Sequence, residues 1–370
     1  MDLHPYLKIM VEKNASDLFF STNATPCIKI EGTTTHMGHT PLPPGAVKQL
    51  AYSIMNDEQI KSFEETLEMD LAISAKNTGR FRVNIFRQRG EVAMVVRYIS
   101  ADIKSVEQLS LPSTLNELVM APRGLVLIVG TTGSGKSTTL ASMINHRNRN
   151  KTGHILTIED PIEFTHHHQK SIVNQREVGL DTLSYASALR RAMREAPDVI
   201  MIGEIRDQET MQQALAYADT GHLCLSTLHA TNAAQTLERI INFFPEKAHH
   251  QLHMDLSLNL RAIISQRLVI GTDKKRLPAT ELMINTPHIA DLIQKGNINE
   301  IPTAIEQGND VGMQTFDQAL FNLYQTEKIS LEEALEHADS YNNLSLRIRL
   351  AQDGTLDMNE LDDYCLAQPD

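Results

Sequence analysis

Only three cysteines occur among the 370 residues, Cys27, Cys224 and Cys365, and no two of them form a CxxC pair. That spacing excludes a disulfide framework and a cysteine-based zinc site, and it fits a reducing compartment. Basic residues are in deficit as well: 34 Lys and Arg stand against 46 Asp and Glu, a net charge of −12. A broad nucleic-acid surface needs the opposite balance, because it binds by displacing counterions from phosphates. Long apolar runs are missing too. None approaches the roughly 20 residues that span a bilayer. The N-terminal "MDLHPYLKIMVEKNASD" carries charges throughout and no apolar core of signal-peptide length. Tryptophan is absent, yet 41% of residues are hydrophobic and 22% charged, the balance of a soluble globular chain. The length suits two or three domains of about 150 residues each.

Patterning divides what is present. Residues 1–14 predict a helix, "SDLFFST" and "PCIKIEG" short strands, and "PPGAVKQLAYSIMNDEQIKSFEETLE" two helices broken near Asn56 and Asp57. "DLAISA", "RFRVNIFRQ" and "EVAMVVRYI" alternate apolar and polar residues, as antiparallel strands with one wet face do. Residues 1–100 therefore read as a small α+β domain, and 101–120 as a polar linker with a short helix. From Gly124 the strand candidates "GLVLIVG", "HILTIED", "DVIMIGE" and "HLCLSTL" alternate with helical stretches at 135–148, 184–195 and 207–219. Alternation of that kind predicts a mainly parallel sheet covered by helices, an α/β domain over 121–350. Beyond about residue 245 the expectation is mostly helix through 337. The tail 351–370 holds six acidic residues and no Lys or Arg, and is expected to be mobile.

"GTTGSGKST" at 130–138 is the strongest local signal. Gly130, Thr131, Thr132, Gly133, Ser134, Gly135, Lys136 and Ser137 match G-x-x-x-x-G-K-[ST] at every fixed position, between an apolar strand and a helix that includes Thr138. Glycines let the backbone curl its N–H groups toward phosphate oxygens, and the helix N-terminus adds a favourable dipole. Lys136 is placed to reach the β- and γ-phosphates and the Ser137 hydroxyl to ligand Mg²⁺. ATP is preferred to GTP, because the guanine-reading N-K-x-D pattern is absent; the nearest run is Asn150-Lys151-Thr152-Gly153.

Two acidic strand ends follow. "DVIMIGEIRD" ends in Gly203-Glu204, where a carboxylate can hold the Mg²⁺ shell directly or through water. "ILTIEDPIEF" brings Glu159, Asp160 and Glu163, one of which can polarise the attacking water; acids on a loop are otherwise ordinary surface charge. The histidines at 166–168 and at 249, 250 and 253 lack the acidic or cysteine partners of a structural metal site.

Taken together, the phosphate loop, "TIEDPIEF", "DVIMIGEIRD", "TGHLCLSTLHA" and "NQREVGLDTLSYASALRRAMREAPD" resemble the secretion ATPase superfamily, the hexameric motors of type IV pili and type II secretion. "GMQTFDQALFNLY" and the N-terminal region extend the likeness toward its pilus retraction branch of PilT/PilU-type ATPases. PilT-type members carry an A-I-R-N-L-I-R-E helix, whereas "HIADLIQKG" at 288–296 has neither arginine, and "EHADSYNNLSLRIRL" is similar to PilU-type accessory members. Extension and secretion motors usually carry a tetracysteine zinc insertion, which three scattered cysteines exclude.

The resemblance implies a PAS-like α+β domain followed by a RecA-like P-loop ATPase domain with a helical C-terminal part. It implies Glu163 as general base, Glu204 as the strand-end glutamate, and His222 and His229 as the pair coupling nucleotide state to domain arrangement. Arg80, Arg82 and Arg97 match arginines that reach the nucleotide phosphates. Also implied are ATP and Mg²⁺, a homohexamer, a PilT-type partner and a PilC-like platform protein, with the chain cytoplasmic and peripheral at the inner membrane. No direct nucleic-acid partner is expected. A ring that binds nucleotide and stabilises PilT while hydrolysing little is the alternative.

Overall fold

The computed structural model describes residues 2–30, 32–75 and 78–352; the acidic stretch from 353 onward lies outside them. The chain divides into two compact units, Met1–Asp102 with Ile162–His167, and Ile103–Pro161 with the residues from His168 onward.

In the first unit six strands form one antiparallel sheet. They are β1 (Asp17–Phe20), β2 (Cys27–Ile30), β3 (Thr33–His36), β4 (Glu68–Ala75), β5 (Gly79–Gln88) and β6 (Glu91–Ile99), in spatial order β3-β2-β1-β6-β5-β4. Strict alternation in β5 sends Phe81, Val83 and Ile85 into the core and Arg80, Arg82 and Asn84 to the other face. Helices His4–Glu12, Ala46–Tyr52 and Asp57–Thr66 supply Leu7, Met10, Leu50 and Phe63 to that core. The predicted break at Asn56 is a capping box: its side chain accepts from the Gln59 N–H while the Gln59 side chain accepts from the Asn56 N–H.

The second unit carries a seven-stranded sheet: β7 (Gly124–Val129), β8 (Gly153–Glu159), β9 (Ser171–Glu177), β10 (Val199–Ile202), β11 (Leu223–Leu228), β12 (Leu260–Ile270) and β13 (Arg276–Ile284). Their order is β13-β12-β7-β11-β10-β8-β9, parallel throughout except for β13, which runs antiparallel along the edge. Every residue of β7, β10 and β11 is buried, because helices cover both faces. Helices Lys136–Asn150, Tyr185–Ala192 and Gln208–Asp219 lie close to their predicted ranges.

Two expectations are corrected. Residues 260–284 are not helical but form the long β12–β13 pair. β12 is buried on both faces and shows little alternation, and Pro278 sits in β13, an edge strand that tolerates a missing donor. Nor is most of 101–120 a linker. Val106, Leu111, Leu115 and Val119 are buried in one apolar cluster with Val126, Ile128, Ile155 and Val199, which anchors the stretch to the second unit.

Candidate functional site

Parallel register brings one end of each central strand to a common edge. Val129 of β7 pairs with Leu228 of β11, Ile202 of β10 with both Ser226 and Ile158 of β8, and Ser265 of β12 with Val129. The residues that follow at this carboxyl edge are Gly130, His229, Gly203-Glu204, Glu159 and Gln266. This is the edge where open α/β sheets bind ligands.

The phosphate loop is built from backbone shape. Gly130, Gly133 and Gly135 have φ of 155°, 81° and 91°, a region that penalises any side chain. A Cβ on Gly130 would come within 2.4 Å of Ser134 Oγ and 2.5 Å of the Gln266 carbonyl oxygen. Lys136 opens the helix Lys136–Asn150 and bends back over the loop, its Nζ donating to the Gly130 and Thr131 carbonyls at 2.9 Å each. Burial lowers the Lys136 pKa, against the opposing charge of Glu204. The Ser134 hydroxyl is buried with no hydrogen-bond partner among the described residues. Positive-φ glycines, a converging lysine and an unused buried hydroxyl fit a bound phosphate chain. Thr132 and Ser137 are exposed, and Thr138 lies half-buried in the helix.

Glu204 is held on both sides. Its Oε2 accepts from Arg206 Nε at 2.8 Å and its Oε1 lies 3.2 Å from His229 Nε2. The hydrogen bond and charge of Glu204 raise the Arg206 pKa further. Thr227 Oγ1 donates to the Gly203 carbonyl at 2.7 Å, tying the end of β11 to the turn that carries Glu204. Glu159 is only 7% exposed and its Oε1 accepts from Thr157 Oγ1 at 2.6 Å and Gln175 Nε2 at 3.1 Å.

Within the second unit, His222 does not join this edge. His222 precedes β11 and His229 follows it, so the six residues of the strand, about 20 Å of extended chain, separate them. Within its own chain His222 sits at the opposite edge from the phosphate loop, where Nδ1 faces Thr220 Oγ1 at 3.2 Å and the Tyr217 carbonyl at 3.3 Å. Glu163 is exposed and belongs to the first unit, where Phe164 bridges Ser100. The three arginines share one face of the first sheet. Arg82 and Arg97 are cross-strand partners; Arg97 pairs with Asp17 at 2.8 Å and Arg82 lies 3.7 Å from Asp70, while Arg80 Nε is buried with no hydrogen-bond partner among the described residues.

Sequence reading missed Arg206, Gln266 and Tyr185. Gln266 is 4% exposed and accepts from Thr139 Oγ1 at 2.7 Å, so β12 grips the phosphate-loop helix directly. The polar pair Ser265-Gln266 inside "LRAIISQRLVI" was the available signal. Burial, then the nearby Asp160 charge, push the Tyr185 phenol up, so it stays protonated. Among the described residues the one group of three or more converging ligands is Glu333, Glu336 and His337, with Glu336 exposed. Among the described residues, no helix is long and apolar enough to cross a membrane.

Comparison with known proteins follows the same line. The family described as type II/IV secretion system protein matches residues 1–281. The chain is 51% identical over 358 residues to the type IV pilus ATPase PilU of Pseudomonas aeruginosa, covering 96% of this chain and 94% of that one. It is 44% identical over 338 residues to the pilus retraction ATPase PilT of the same organism, covering 91% and 98%. Among solved structures, the pilus retraction motor PilT with bound ADP superposes with a TM-score of 0.87 at 41% identity, covering 94% of this chain and 99% of that one. The ATPase DotB of Legionella pneumophila superposes with a TM-score of 0.73 at 26% identity, covering 90% and 94%.

Proposed function

This chain belongs to the type II/IV secretion system protein family, and on that premise we propose that it is an ATP-hydrolysing motor of the type IV pilus machine that supports retraction. The carrying observation is the single sheet edge that gathers Lys136, Glu204 and His229 beside a glycine loop shaped for phosphates.

In this reading the loop N–H groups and Lys136 bind the β- and γ-phosphates, with Gly130, Thr131, Thr132, Gly133, Ser134, Gly135, Ser137 and Thr138 as the cradle. Ser137 and Glu204 would hold Mg²⁺, which supplies further neutralisation of phosphate charge. Both oxygens of Glu204 are already engaged, by Arg206 and His229, which favours a hold through water over direct ligation. Glu163 accepts the proton of the attacking water. Arg80, Arg82 and Arg97 serve the phosphates, and His222 acts at the opposite sheet edge in transmitting nucleotide state.

The assembly is a homohexamer at the cytoplasmic face of the inner membrane, working with a PilT-type ring on a PilC-like platform protein. An accessory, PilU-like role is favoured by the helix Pro287–Lys295. It buries Ile289, Leu292 and Ile293, while Ala290 and Gln294 stand where the PilT-type motif has arginines. The test has two arms. Purified protein should turn over ATP without stimulation by DNA, and in cells lacking PilT this protein should not retract fluorescently labelled pili. It should add force once PilT, even a hydrolysis-dead PilT, is restored. Robust retraction by this protein alone would leave a self-sufficient motor; absence of turnover would leave the regulatory ring.

A further inference from the structure

Glu281 faces Ser265 directly across the β12–β13 pair and is only 5% exposed. One oxygen, Oε1, accepts twice: from Ser265 Oγ at 2.9 Å and from the Ala233 N–H at 2.7 Å. Ala233 begins the helix Ala233–Asn242, four residues after His229. The connecting loop is pinned to that helix start. Gln235 Oε1 accepts from the Thr231 N–H and hydroxyl at 2.8 Å each, and the Gln235 N–H donates to Asn232 Oδ1. On its other side, Ser265 is in register with Val129, the last residue before the phosphate loop, and its neighbour Gln266 holds Thr139. One buried carboxyl thus joins the strand beside the phosphate loop to the segment carrying His229.

We propose that Glu281 is a positioning residue for ATP turnover: in its ionised form it holds the start of the helix Ala233–Asn242, and through it His229 and Glu204, in place beside the phosphate loop. The proposal rests on the ATPase reading above. A carboxylate at a helix N-terminus makes charge-assisted hydrogen bonds and meets the positive end of the dipole. The neutral acid accepts more weakly and adds a hydroxyl that needs an acceptor of its own.

The surroundings make this ionisation responsive near neutrality. Burial pushes the Glu281 pKa up to about 7, against the Ala233 and Ser265 hydrogen bonds; Asp339 adds to the rise and Arg267 opposes it. Those two charges are themselves paired at 2.6 Å. Asp317 lies in the first turn of the helix Phe316–Gln325, which packs on β13, and burial raises its pKa as well. Glu238, Arg239 and Glu306, on the other helices packed there, are exposed to solvent.

The experiment measures ATP turnover of the full-length protein between about pH 5.5 and 8.5 for wild type, Glu281→Gln and Ser265→Ala. Wild-type kcat should climb with pH through a limb near neutrality. Glu281→Gln, confirmed folded by circular dichroism, should lose that limb and show kcat about tenfold lower at the alkaline end, with KM for ATP nearly unchanged. Ser265→Ala removes one donor and should move the limb to higher pH, which keeps the test alive if the glutamine variant does not fold. A glutamine variant with wild-type kcat and an unshifted limb overturns the proposal, and so does an unmoved limb in Ser265→Ala. Lys136→Ala run alongside separates the premises: wild-type turnover there would remove the phosphate-loop reading itself, whatever Glu281 does.

Discussion

His229 Nε2 lies 3.2 Å from Glu204 Oε1, although 25 positions of chain and a whole helix separate the two residues. The contact exists because β10 and β11 are parallel neighbours in register, Ile202 against Ser226, so both strands deliver their next residues to one edge. Arg206 closes the other side of the carboxylate at 2.8 Å. Glu204 thereby accepts a hydrogen bond from Arg206 and lies against the His229 ring before any nucleotide is considered.

His229→Ala should therefore free Oε1 and loosen the carboxylate. Loss of such an orienting partner typically costs about 10–100-fold in activity. The fall should appear in kcat with little change in KM for ATP. Steady-state turnover checks it, and an unchanged kcat would show that Arg206 alone orients Glu204.

Glu163→Gln should retain nucleotide binding and reduce hydrolysis by about 10²–10⁴-fold, the usual worth of a general base. Glu159 is the competing acid, but it is buried and its Oε1 is already used by Thr157 and Gln175. Glu159→Gln should lower stability more than turnover per folded molecule. A fluorescent ADP analogue for binding and phosphate release for hydrolysis distinguish the two; loss of chemistry in Glu159→Gln alone would reverse the assignment.

Gln266→Ala strips the partner from the Thr139 hydroxyl and leaves space beside Gly135, which the Gln266 amide now crowds. A buried hydroxyl left unpaired costs about 1–3 kcal/mol. The expected result is a lower Tm together with a KM for ATP raised several-fold, because the phosphate loop and its helix lose a fixed wall. Thermal denaturation with and without ADP would test both parts.

Stability should also carry the signature of Glu281. Its carboxyl pKa is raised to about 7 in the folded protein from 4.5, so the folded state binds its proton more tightly than the unfolded state does. The associated stability is present in full below the unfolded value and is lost as pH rises through the folded value. At roughly 1.4 kcal/mol per pKa unit the ceiling is about 3 kcal/mol. Denaturant titrations of wild type and Glu281→Gln from about pH 5 to 8 should show wild type losing ground to the variant with rising pH. A difference that stays flat across that range would mean that Glu281 does not titrate there.

The phosphate loop was legible without tertiary information because its chemistry is local. Nine consecutive residues, Gly130 to Thr138, hold the loop glycines, the lysine and the helix start. Strand ends at Glu159 and Glu204 were visible for a related reason: short, mainly apolar runs that stop at an acid mark buried parallel strands and their edge. Alternation along β5 likewise placed Arg80 and Arg82 on a strand with one wet face.

What the sequence could not decide is which distant residues meet. The β12–β13 pair escaped notice because a strand buried on both faces loses the period-two signal, and its register against β7 depends on non-local packing. Arg206 and Glu281 carry no local pattern; Arg206 acquires a role when the parallel register of β10 and β11 sets Glu204 beside His229, and Glu281 when the antiparallel β12–β13 pair sets it against Ser265. His222 shows the converse. It shares a motif with His229, yet a strand of six residues sends the two to opposite edges of the sheet, since an extended chain alternates faces but never reverses direction.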